Sequence, residues 1–76
     1  MSNLQFALYT QDLGNLVREK AVAAKLAVEL DKSDYNVGHL MAWHEIVSLM
    51  QSQAPLFGIS LSEMGLANLD PDRELL

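Results

Sequence analysis

Residues 11–34, QDLGNLVREKAVAAKLAVELDKSD, decide the fold, because a helical pattern there runs into a polar break. Leu13, Leu16, Val17, Ala23, Ala24, Ala27, Val28 and Leu30 recur at steps of three and four, the helical period. Alanine, leucine, lysine and glutamate fill most of the segment, and all are good helix formers. Gly14 is the exception, costing about 1 kcal/mol relative to alanine in a helix interior. The break is Asp31-Lys32-Ser33-Asp34, in which Ser33 or Asp34 can cap a following helix. So short a link brings that second helix back antiparallel to the first.

Working towards the N-terminus, two starts compete. Thr10 can cap a short version of the helix. Ser2, with Gln5 three residues on, has the spacing of a capping box. The longer version places the helix over about 3–31, about 27 residues and 40 Å. It also adds Phe6 and Tyr9 to the Leu13/Leu16 stripe.

Working towards the C-terminus, the second helix is expected over about 35–54. Leu40, Trp43, Val47, Met50, Ala54 and Phe57 alternate at three- and four-residue steps. Ala42, Ile46, Leu49 and Leu56 make a second apolar side. Gly38 weakens the first turn. Pro55 lacks an N–H and disfavours helical geometry at Ala54, so the helix should stop or kink there, with Gly58 as the final stop. A short helical tail is expected over about 60–75. Ser60 with Glu63 has capping-box spacing, and Asp70 before Pro71 resembles an N-cap and first helical residue. Leu61, Met64, Leu66 and Leu69 should lie against the hairpin, and the terminal Asp72-Arg73-Glu74-Leu75-Leu76 should fray.

These elements make a single all-α domain over residues 1–76: an antiparallel helical hairpin with a short helical C-terminal tail. A chain of this size buries only about 60% of its unfolded surface, and it has no cysteine for a disulfide. Both long helices carry apolar stripes wider than one seam requires, the mark of a helix with neighbours on two sides. The expected remedy is a two-fold dimer with a four-helix core. Its interface residues would be Leu13, Leu16, Leu40, Trp43, Val47, Met50 and Phe57, with Trp43, Met50 and Phe57 as anchors. The alanines at 21, 23, 24 and 27 would permit close helix approach.

Several functional classes find no support. Ten acids against five bases give a formal charge of −5, and the bases of residues 18–32 are interleaved with acids, so no phosphate-binding cluster forms. Direct nucleic-acid binding is disfavoured. His39 and His44 lie five apart and point away from each other, whereas a helical zinc pair sits four apart. No metal or cofactor is expected; a pH-sensitive interface at His44 is the one functional role the histidines suggest. No nucleophile elbow, phosphate loop or paired carboxylates appear, which argues against an enzyme. No apolar run approaches the roughly 18 residues of a membrane span. The N-terminus lacks the pattern of a signal peptide, so the expected compartment is the cytoplasm.

What remains is a protein–protein interaction module, acting on itself and on another protein. An alternative is a nucleic-acid-related regulator. It would be an acidic decoy of a DNA-binding protein, or a degenerate helix-turn-helix built on Ser60–Gly65, whose continuation lacks a basic recognition helix. The second half of the chain, from GHLMAWHEIVSLM through APLFGISLSEMGL to the acidic LDPDRELL, resembles small helical proteins encoded by phages and prophages. That resemblance implies a cytoplasmic bacterial or phage product, an accessory or host-takeover factor, and assigns no activity.

Overall fold

The computed structural model describes residues 3–76. Its elements are α1 (Asn3–Leu30), α2 (Asp34–Gln53), a 3₁₀ turn (Ala54–Phe57) and α3 (Pro71–Glu74), with no strand among the described residues. The two long helices form the expected hairpin. Phe6 and Tyr9 are helical, as the longer version of the first helix requires; the Ser2 cap invoked for it lies outside the described residues.

Ser33 caps α2. Its backbone is extended and its Oγ accepts from the Asn36 N–H at 3.2 Å. Asn36 also reaches back across the turn, its Nδ2 donating to the Asp31 carbonyl at 2.9 Å and the Ala27 carbonyl at 3.4 Å. One side chain thus satisfies carbonyls that the end of α1 would otherwise leave open.

The hairpin seam on α1 is Gly14, Val17, Ala21, Ala24 and Val28, all buried. It meets Leu40, Val47 and Ala54 in one core cluster. This stripe lies about one residue round the helix from Leu13, Leu16, Ala23, Ala27 and Leu30, which are mostly exposed. The smaller side chains win the seam because two neighbours, α2 and the tail, converge on it.

Pro55 acts as expected. α2 tightens into the 3₁₀ turn, and Gly58 ends it at φ 69°, the left-handed conformation glycine adopts at little cost. The tail then turns back. Ser60 and Glu63 form a reciprocal capping pair, with the Ser60 N–H on Glu63 Oε1 at 3.1 Å and the Glu63 N–H on Ser60 Oγ at 3.2 Å. Only Pro71–Glu74 of the remaining tail is helix, capped by Asp70, whose Oδ1 accepts from the Arg73 N–H at 3.3 Å. Between these two caps the chain is irregular, and the hairpin's side chains take the place of helical hydrogen bonds. Arg18 Nε donates to the Gly65 carbonyl at 3.2 Å, and its Nη2 donates to the Ala67 carbonyl. Gln51 Nε2 donates to the carbonyls of Leu66 at 3.2 Å and Leu69 at 2.7 Å.

Those contacts set the tail's direction. It meets α1 at Gly14, then Arg18, then Lys25, whose Nζ donates to Leu76 O at 2.8 Å. It meets α2 at Gln51 and then at His44, which pairs with Asp72 at 2.7 Å. The tail therefore runs parallel to α1 and antiparallel to α2 along one face of the hairpin. Met64, Leu66 and Leu69 are buried there, as expected. The terminal segment does not stand free as expected: Leu75 is 1% exposed, because α3 turns its side chain into the same core.

Gly14 permits the closest approach. A Cβ on it would overlap the Met64 carbonyl, so any side chain there pushes the tail off α1. We expect Gly14→Ala to destabilise the fold by about 1–3 kcal/mol in chemical denaturation, although helix propensity alone predicts a gain. Gly38 faces open space, so Gly38→Ala should stabilise by about 0.5–1 kcal/mol. In Gln51→Met the volume is kept and both donors are lost. It should cost about 1–3 kcal/mol, with faster amide exchange confined to the tail.

Candidate interaction surface

The tail divides the hairpin into two unlike faces. Successive helical residues turn by about 100°, so the two flanks of each buried stripe can be assigned. On α1, Arg18 and Lys25 follow Val17 and Ala24 and hold the tail. Leu13, Leu16, Lys20 and Ala23 precede Gly14, Val17, Ala21 and Ala24 and so occupy the other flank. On α2, His44 and Gln51 take the tail side. His39, Trp43, Ile46 and Met50 take the opposite one. In an antiparallel pair these latter flanks meet on one face, which the tail does not reach.

The residues expected at an interface separate accordingly. Leu40 and Val47, at 5% and 0% exposure, belong to the chain's own core. Trp43 and Met50 are half-buried, packed against that core from the tail-free side. Leu13 and Leu16 are 40% and 48% exposed on the same side, and Phe57, past the end of α2, is 74% exposed. The structure thus brings Leu13, Leu16, Trp43 and Met50 to one face and places Leu40 and Val47 beneath it. Ile46 and Leu49 are exposed and extend the apolar surface on α2.

Two features of this face were not visible as such in the sequence. The first is its charge. Taken at helical spacing, none of the ten carboxylates falls at its centre: Asp12 and Glu19 come to its outer edge, Glu29 and Glu45 lie beyond it, Asp31 and Asp34 at the turn, and the rest on the tail. Lys20 is the one lysine or arginine on it. The second is an aromatic ladder on α2. Tyr35 stacks on His39 with ring centroids 5.8 Å apart, and His39 meets Trp43 edge-on at 6.3 Å. Trp43 Nε1 donates to His39 Nε2 at 3.2 Å, so the indole N–H is satisfied without being buried. The i, i+4, i+8 spacing of Tyr35, His39 and Trp43 was the available signal.

α1 also outruns the hairpin. Residues 3–9 are all exposed, and Leu4, Phe6, Leu8 and Tyr9 point to different sides of the helix. A helical segment that is apolar all round normally has neighbours on every side. At its base, Phe6, Ala7, Leu8, Gln11, Ile59 and Glu63 line an open groove of about 310 Å³.

His39 and His44 sit on opposite flanks, and among the described residues no three His, Cys, Asp or Glu side chains gather as metal ligands. Among the described residues no helix is long and apolar enough to cross a membrane.

Glu63 is held below its ordinary value. The Ser60 backbone N–H and then the Ser60 hydroxyl, both bonded to its carboxylate, hold it below 4.5. Whatever stability this capping pair contributes is present above the ordinary value and is lost as pH falls through the lowered one. An NMR titration of Glu63 should give a midpoint below 4.5, and Ser60→Ala should raise it.

Compared with known protein families, curated proteins and solved structures, the chain matches none. The chemistry of its own surface is therefore the ground for assigning a function.

Proposed function

We propose that this protein is a non-enzymatic protein–protein interaction module that pairs with a second copy through the tail-free face. Two hairpins then share a four-helix core, with Trp43 and Met50 as anchors. The observation that carries this proposal is a broad apolar face with no carboxylate at its centre, on a chain that has ten. A purely solvated face of so acidic a protein has no reason to exclude acids. A face that docks does, because each buried unpaired carboxylate costs several kcal/mol.

The surface area supports the same conclusion. Folded monomers expose about 6.3 M^0.73 Å², or about 4,600 Å² for a chain of this size. This one, at 8.4 kDa, exposes 5405 Å². The excess of about 800 Å² equals what each partner buries in a standard interface. Self-pairing through this face buries no acid at its centre, and only Asp12 and Glu19 come to its edge. An adaptor or regulatory subunit built this way would keep the outer side of α1 for a different protein, where Leu4, Leu8, Val22 and Leu26 remain exposed.

Sedimentation across a dilution series tests the proposal. The protein should pass from dimer to monomer on dilution. Ile46→Glu, at a position exposed enough to leave the hairpin intact, should weaken the dimer at least tenfold, about 1.4 kcal/mol, with unchanged helicity. A protein that stays monomeric at millimolar concentration would sink the proposal. Binding to a basic partner that falls steeply with salt would favour an acidic decoy instead.

A further inference from the structure

Granted that pairing, the exposed stripe of α1 specifies how the second copy sits. On this stripe Phe6, Leu13, Lys20 and Ala27 recur every seven residues. Tyr9, Leu16, Ala23 and Leu30 recur every seven between them. The three–four alternation holds without a break for four heptads, which is the pattern of a coiled-coil seam. It is distinct from the stripe that packs on α2, and it follows the tail-free flank from the overhang to the end of the helix.

The stripe is graded. Its N-terminal half is bulky, with Phe6, Tyr9, Leu13 and Leu16; beyond it come Lys20, Ala23 and Ala27. A parallel partner would stack bulky on bulky, small on small, and Lys20 on Lys20 of the partner subunit. An antiparallel partner reverses the gradient. With Leu13 opposite Leu16 of the partner subunit, Phe6 falls opposite Ala23 of the partner subunit. Tyr9 then falls opposite Lys20 of the partner subunit, a cation against an aromatic face. A single lysine in a core position is also a known device for fixing register.

We propose that two copies pair through an antiparallel α1–α1 seam in this register. The overhang of each copy, which carries no charge from Asn3 to Gln11, lies along the middle of the partner's α1. That removes from water the part of the helix with fewest neighbours of its own. The occupant is a second copy because the stripe complements itself, in volume and in charge, only when reversed. Asp12 and Glu19 flank the seam on its outer edge, so four carboxylates border the pair. Salt that screens them tightens it.

The chain has no cysteine, so introduced thiols have no competitor. Full-length Leu13→Cys and isotopically labelled Leu16→Cys, both at exposed positions, are mixed at equal concentration above the dissociation constant and mildly oxidised. The expected product is the mixed disulfide joining positions 13 and 16, formed at least several-fold faster than either homodisulfide. Predominant homodisulfides, or no covalent dimer, would overturn the seam. Sedimentation of the unsubstituted protein runs alongside. A dimer without the mixed disulfide overturns the register while leaving the tail-free face as the interface; a monomer overturns both. Raising NaCl from 0.05 to 0.5 M should lower the dissociation constant several-fold, and a marked rise would overturn the proposed edge of carboxylates.

Discussion

The structure depends on how an irregular strand of backbone is kept dry. A stretch without its own helical bonds can lie in a core only if its carbonyls find donors. Here Arg18 on one helix and Gln51 on the other reach the carbonyls of Gly65, Ala67, Leu66 and Leu69. Gly14, lacking a side chain, lets the tail close on α1 at the point where that stretch begins. Three residues thus hold in place the segment that brings Met64, Leu66, Leu69 and Leu75 into the core. Without it the hairpin would have one seam, lined on α1 by alanine, valine and glycine.

Covering one face has a consequence for the other. The cations Arg18 and Lys25 are drawn to the tail, and acids lie at Glu63, Asp70, Asp72 and Glu74 along it. The remaining face is left apolar, with Lys20 as the charge at its centre. Asymmetry of this kind sets the face apart from the scattered exposed leucines of any small protein. The apolar stripes are too wide for one hairpin for two separate reasons. Part of the excess is taken by the tail and part stays outside.

The site was only partly legible in the sequence. Leu40 and Val47 sit in the same three–four pattern as Trp43 and Met50, yet a turn of about 60° separates interior from surface. Spacing alone does not resolve that difference when a helix has two neighbours. On α1 the spacing likewise offered two adjacent stripes without saying which one faces α2. Ala21 and Ala24 were legible as residues that permit close helix approach, whereas Gly14 looked like a defect. The roles of Arg18 and Gln51 left no signal, since each is a common surface residue whose partners are backbone carbonyls far along the chain.

The sequence by itself determined what is local: two long helices, the Ser33 cap, the break at Pro55 and Gly58, and the Ser60–Glu63 and Asp70–Pro71 turns. Each rests on contacts within about four residues, which composition and spacing can specify. Only the tertiary structure decided which stripe of each helix is inside, that most of the tail is irregular, and that Leu75 is buried. Those outcomes turn on contacts across some 50 residues of chain, such as Arg18 with Gly65 and Lys25 with Leu76. They depend on which neighbour arrives first at a shared surface, and no local pattern encodes that.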